Sequence, residues 1–172
     1  MLYTDPTSRP FAKDPAVVRF HDRYYLYYSQ MQEEGPLRIA IAVSDDMDTW
    51  EKVALLPLDQ PCEANGVGAP GAIVLNGRVH LFYQTYGNWE KDALCHAVSE
   101  DGVFFRRLFH QPFLSCGKPG AWNASESGHP YAFRDDDGRC YLFYQGSPDS
   151  GKSWYLSKVE IGFVEGKPII LT

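Results

Sequence analysis

Short apolar and aromatic runs, each closed by a turn signal, recur from Asp14 to Leu171. None keeps a 3.6-residue apolar period over the roughly 11 residues that a helix face needs. The runs repeat. Shifted by 55 positions, Asp14–Ser29 meets Ala69–Gln84 without a gap, and Ala42–Asp46 meets Ala97–Asp101. A third copy runs from His129-Pro130-Tyr131 to Arg139–Gln145, with one extra residue in its turn Asp135–Gly138. Each copy predicts a short strand after a proline (Ala16–Phe20, Gly71–Leu75, Tyr131–Arg134). A tight turn follows, at His21-Asp22, Asn76-Gly77 and Asp137-Gly138. Asn-Gly and Asp-Gly supply the positive φ angles of such hairpins. An aromatic strand is next (Tyr24–Ser29, Val79–Thr85, Cys140–Gln145), then a third (Arg38–Ser44, Ala93–Ser99, Trp154–Val159) and a fourth (Trp50–Leu55, Phe104–Leu108, Lys167–Leu171). Four short strands in repeats of this length predict an all-β fold, a β-propeller of about three four-stranded antiparallel blades spanning residues 11–60, 66–115 and 126–172 of one domain. A Greek-key sandwich also repeats short strands but gives no reason for gap-free copies. Closed propellers have 4–8 blades, so three leave open ends, and self-association is expected.

Composition narrows the class. Aromatic residues make up 15% of the chain, more than helical bundles need and usual for sheets and sugar-binding surfaces. Net charge is −6 with no basic cluster, which argues against nucleic acid as a partner. No apolar run approaches the roughly 18–20 residues of a membrane span, and Met1–Pro6 lacks the charged and apolar regions of a signal peptide. Cys62, Cys95, Cys116 and Cys140 show no metal-site spacing. These features predict a cytoplasmic protein with reduced thiols, no cofactor, no metal and no membrane partner.

In a propeller the first strand of each blade lines the central channel, and the residue before its proline sits at the mouth. Those residues are Asp14, Ala69 and His129. Proline is expected to hold each of them extended. Glu126, three residues before His129, can approach the same funnel, and Glu63 is the corresponding loop candidate before the second copy. A carboxylate facing a second proton carrier across an aromatic-rimmed cleft suits glycosidic bond hydrolysis. Trp89 and Trp122 lie in Gly/Asn-rich loops, and they join Glu63, Gln84 and Gln145 as sugar-binding candidates. Trp50 and Trp154 fall in strand patterns and read as core. The run Asp135–Asp137 lacks the spacing of a calcium loop and reads as a hairpin tip.

Lys13–Val18 with Arg23–Ser29 resembles the first blade of the five-bladed propeller glycosidases, the group around glycoside hydrolase families 43 and 117. Ala40–Asp46 with Trp50-Glu51, and His96–Gly102, resemble third strands of that group and their turns. Gly66–Ala72 resembles its second blade, and Trp122–Pro130 with Tyr141–Gly146 and Lys152–Ser157 a late one. The resemblance implies an oligosaccharide substrate of plant or algal type and inversion, with Asp14 as the base and Glu126 or His129 as the acid. The family's second aspartate has no counterpart, because Ala69 holds the equivalent place and two middle blades are absent. A catalytically inactive carbohydrate-binding propeller and a protein-interaction propeller stand as alternatives.

Overall fold

The computed structural model describes residues 11–31, 34–87 and 92–171. Trp89 lies outside the described residues. Twelve strands form three antiparallel meanders. The first sheet is β1 (Ala12–Phe20), β2 (Arg23–Gln30), β3 (Arg38–Ser44) and β4 (Glu51–Leu55). The second is β5 (Val67–Leu75), β6 (Arg78–Thr85), β7 (Leu94–Ser99) and β8 (Phe105–Arg107). The third is β9 (Glu126–Arg134), β10 (Cys140–Ser147), β11 (Tyr155–Val164) and β12 (Lys167–Ile170). These are the three blades, and at the centre β5 lies between β1 and β9 and packs against both.

Local chemistry accounts for the hairpins. His21 and Asp22 take φ 46° and 62°, and Asn76 and Gly77 take 51° and 69°, the paired positive angles of a tight turn whose twist matches its strands. A Ser-x-Asp turn recurs: the hydroxyls of Ser44, Ser99 and Ser147 donate to Asp46, Asp101 and Asp149 at 3.0, 2.9 and 3.1 Å. Each aspartate accepts two further backbone N–H groups. The first two turns close the third strand of their blades. The last follows β10 instead, so the third copy is not a strict repeat.

The central strands begin earlier than their sequence pattern predicts, and the proline falls inside each strand. Ladder pairing skips from Lys13 to Ala16 on β1, from Gly68 to Gly71 on β5 and from Gly128 to Tyr131 on β9, while the facing strands skip one residue each. Two residues therefore face one: Asp14-Pro15 faces Tyr28, Ala69-Pro70 faces Tyr83, and His129-Pro130 faces Tyr144. This is a β-bulge, where a missing proline N–H costs no ladder bond. Asp14, Ala69 and His129 are accordingly left-handed, at φ 55°, 46° and 46°, and not extended. The bulge geometry overrides the usual preference before proline. A non-glycine residue held there costs about 1–3 kcal/mol.

Packing between blades is periodic too. Ala16, Val18, Tyr25 and Tyr27 of blade one pack against Ala72, Val74, Leu81 and Tyr83 of blade two. One face on, Ile73 and Phe82 of blade two pack against Ala132, Leu142 and Tyr144 of blade three. Gly71 is obligatory in this seam, since a Cβ would strike the Pro130 carbonyl. On blade three the equivalent face carries Tyr131, Phe133 and Phe143, and there the cover stops. Phe82 is fully buried, whereas its counterpart Phe143 is 42% exposed and Tyr131 64%. Trp154, read as core, is 45% exposed at the start of β11, while Trp50 packs against Leu26 and Tyr28 as expected.

His80 and His96 meet inside the second blade, Nδ1 to Nε2 at 3.0 Å, among Phe82, Phe113 and Phe163. Their outer nitrogens, His80 Nε2 and His96 Nδ1, find no hydrogen-bond partner. Burial lowers both, His80 to about 4 and His96 in the same direction. The unfolded imidazole titrates near 6.5, so the unfolded chain gains the proton first as pH falls. The contribution of the pair is complete above pH 6.5 and is lost progressively below it, the His80 part down to about pH 4. The His80 shift alone corresponds to on the order of 3 kcal/mol. Urea unfolding between pH 7.5 and 4.5 should show this loss, and a His80→Leu/His96→Leu double variant should lack it. An unchanged pH slope in the double variant rules out the histidine pair as its source.

Candidate active site

Asp14, Ala69 and His129 sit at equivalent bulges, with the Asp14 charge near enough to act on His129, and each seam between blades is latched there. The Ala69 N–H donates to Ser29 Oγ at 2.8 Å, and Ser29 Oγ donates to Asp14 Oδ2 at 2.9 Å. At the next seam the His129 N–H donates to Gln84 Oε1 at 3.2 Å. Ser29 and Gln84 hold the same place in the repeat, one residue beyond the tyrosine that faces the bulge. A polar side chain of one blade thus satisfies the strained backbone of the next. Lys13 Nζ lies 3.4 Å from Asp14 Oδ2, and the Asp14 side chain stays 23% exposed.

The two seams differ in chemistry. Leu37 forms a parallel bridge with Gly66, and at the corresponding place Asp92 bridges Glu126. The backbone pattern is the same: the Val67 N–H donates to the Leu37 carbonyl at 2.9 Å and the Ser127 N–H to the Asp92 carbonyl at 2.8 Å. An apolar pair has become two carboxylates, both almost fully buried. Asp92 Oδ1 accepts the Gly87 N–H at 2.5 Å, and its Oδ2 accepts Gln84 Nε2 at 3.3 Å. Glu126 Oε1 accepts Gln145 Nε2 at 2.9 Å and lies 4.0 Å from His129 Nδ1, while Oε2 has no hydrogen-bond partner. Burial, with the neighbouring Asp92 charge, raises the Glu126 carboxyl above its usual range despite the Gln145 bond. Burial lowers the His129 imidazole, although the Asp14 charge works the other way. Tyr86 is pushed up by burial and by the charges of Asp14, Asp92 and Glu126. These groups therefore share one electrostatic environment.

Asp92 was not singled out from sequence. Its signal lies in the repeat itself, since the 55-residue shift sets an aspartate against the apolar Leu37.

The other candidates divide. Gln84 and Gln145 reach the site, as supports of the His129 backbone and the Glu126 carboxyl. Glu63 does not. Its side chain is fully enclosed, accepts from the Tyr83 hydroxyl at 2.5 Å, from the Asp59 and Gln60 N–H groups and from Arg107, and anchors the turn Pro61–Glu63. The physical reason is the buried Arg107, which needs a counter-charge. Trp122 is half-buried, with its ring against Tyr144 at 5.6 Å and under Gly146, where a Cβ would collide with it. A cleft of about 650 Å³ adjoins Tyr86 and Gly87, walled by Pro61, Cys62 and the segment 111–124. Among the described residues no three His, Cys, Asp or Glu side chains converge as a metal-ligand set, and no helix is long and apolar enough to cross a membrane.

Residues 3–161 match the model of the glycosyl hydrolases family 43. The chain belongs to glycosyl hydrolase family 43. The fold of this family-43 chain is shared by an endo-1,4-β-xylanase from Bacteroides thetaiotaomicron, at 16% identity and a TM-score of 0.74 over 100% of this chain and 62% of that one. An α-L-arabinofuranosidase from Lactobacillus brevis superposes at 17% identity and TM-score 0.76, covering 96% of this chain and 57% of that one. A family 117 glycoside hydrolase from Zobellia galactanivorans does so at 17% identity and TM-score 0.66, covering 87% and 51%. The family-43 chain thus spans about half to three-fifths of the length of these structures. The likeness to families 43 and 117 read from Lys13–Ser29 and the later motifs agrees with these matches.

Proposed function

We propose that this family-43 chain hydrolyses glycosidic bonds of plant or algal oligosaccharides by inversion, at the mouth formed by Asp14 and His129. The observation that carries the reading is the placement of Asp14 and a His129–Glu126 pair on equivalent bulges either side of Ala69, near enough for the Asp14 charge to act on the imidazole. Inversion needs a base on one face of the sugar to activate water and an acid on the other to protonate the leaving oxygen. Asp14 is the base. His129 is the acid, because its side chain is 39% exposed whereas that of Glu126 is 1% exposed. Glu126 acts behind it as a positioning residue that orients the imidazole through Nδ1. Tyr86 and the adjoining cleft, whose volume lies in the usual range for small-ligand sites, take the rest of the sugar chain. Ala69, at the bulge of the second blade, favours a second reading, a propeller that binds sugars without turning them over.

Kinetics on aryl glycosides and natural oligosaccharides separate the two readings. Asp14→Asn should lower kcat/KM by about 10²–10⁴-fold with the melting curve unchanged. His129→Ala should cost as much on oligosaccharides and far less on a dinitrophenyl glycoside, whose leaving group needs no acid. The acid works only when protonated and burial lowers its pKa, so wild-type activity should fall as pH rises through a value below 6.5. Binding without turnover would leave only the second reading, and an Asp14→Asn variant at full rate would remove the base.

Self-association belongs to the same proposal. The face of Tyr131, Phe133 and Phe143 is the one that each earlier blade buries against its neighbour. A second copy covers it here, which also walls the mouth beside Gln145. Light scattering across dilution should give a dimer, and Tyr131→Ser/Phe143→Ser a monomer. A wild-type monomer at every concentration refutes the dimer.

A further inference from the structure

Cys62 and Cys95 are 33 residues apart in sequence, yet their sulfurs lie 3.6 Å apart. Both sit on held elements. Cys62 is the middle residue of the 3-10 turn Pro61–Glu63, which Pro61 and the reciprocal Gln60/Glu63 bonds fix in place. Cys95 is on the interior strand β7 and pairs with Tyr83 on β6. The Tyr83 hydroxyl in turn donates to Glu63 at 2.5 Å. The residue next to one thiol is therefore tied to the cross-strand partner of the other, and the sulfurs stay in register. Access is unequal. Cys62 is half-buried and lines the 650 Å³ cleft, whereas Cys95 is 4% exposed behind it. The Cys95 contact holds the Cys62 thiol below its ordinary value, while that same contact and burial push Cys95 up. Cys116 also lines the cleft, but its thiol donates to the Asp92 carbonyl at 2.8 Å and burial raises it.

We propose that Cys62 and Cys95 are a peroxide-oxidisable dithiol that closes to an intramolecular disulfide and staples the turn Pro61–Glu63 to β7. The Cys62 thiolate attacks one oxygen of hydrogen peroxide and becomes a sulfenic acid, releasing hydroxide, which takes up the proton that Cys62 lost. The Cys95 sulfur then attacks the sulfenic sulfur, and its own proton leaves with the hydroxyl as water. In sum two thiols and one peroxide give one disulfide and two waters, the sulfurs being oxidised and the peroxide reduced. Closure needs the sulfurs to approach by roughly 1.5 Å to reach bonding distance, a movement within reach of the two χ1 torsions. The staple fixes the cleft wall that carries Pro61 and Cys62, and it does not depend on the glycosidase reading.

The test treats the full chain with a few equivalents of hydrogen peroxide at neutral pH. The intact mass should fall by about 2 Da, with a tryptic peptide linking Cys62 to Cys95 and two of the four thiols still open to iodoacetamide. Closing a loop of this length should raise Tm by about 10 °C, reversibly with dithiothreitol. Cys62→Ser should abolish the bridge, whereas Cys116→Ser and Cys140→Ser should keep it. In Cys95→Ser, dimedone should capture the sulfenic acid on Cys62. Four alkylatable thiols after treatment, a bridge through Cys116 or Cys140, or over-oxidation of Cys62 with no bridge would each overturn the assignment.

Discussion

The structure depends on one repeated constraint, a left-handed residue before proline, bulged opposite a tyrosine. Asp14, Ala69 and His129 all adopt it. The bulge turns a side chain out of the ladder and toward the mouth, and it leaves a backbone N–H that the ladder does not use. Ser29 and Gln84 accept that N–H for the second and third blades. The strain at these residues is thus offset by the contact that joins one blade to the next. Blade packing and site geometry cannot be changed independently, because one hydrogen bond serves both.

With the backbone arrangement conserved between the two seams, the chemistry of each is set by a few side chains. At the first seam Leu37 and Gly66 give a plain bridge; at the second Asp92 and Glu126 give two buried carboxylates in one low-dielectric place. Burial first, and the neighbouring Asp92 charge after it, raises the Glu126 carboxyl. Gln84 joins both devices, with its carbonyl on the His129 N–H and its amide on Asp92. Glu126 then stands behind His129, a buried carboxyl backing a half-exposed imidazole. A similar economy holds Glu63, whose charge is taken up by Arg107, Tyr83 and two backbone amides and is unavailable to a ligand.

The sequence by itself determined the strands, their grouping into three blades and the tight hairpins. Short apolar and aromatic runs and the Asn76-Gly77 and Asp137-Gly138 turns are local signals, and a gap-free repeat multiplies them. It also marked Asp14 and His129, because the residue before a proline recurs at the same offset, and Glu126 by its place three residues before His129. Only the tertiary structure decided what those residues do with one another. Sequence before proline argues for an extended residue, and the cross-strand skip opposite Tyr28, Tyr83 and Tyr144 makes it left-handed. Glu63 reads like Glu126 until Arg107, from a strand more than 40 residues on, encloses it. Trp122 reads as a loop residue free to meet a sugar, and only the fold sets its ring against Tyr144. Asp92 and the Cys62–Cys95 contact carry no local motif at all. Burial, counter-charges and blade-to-blade contacts are set by residues distant in the chain, so the roles they assign cannot be read from any one segment.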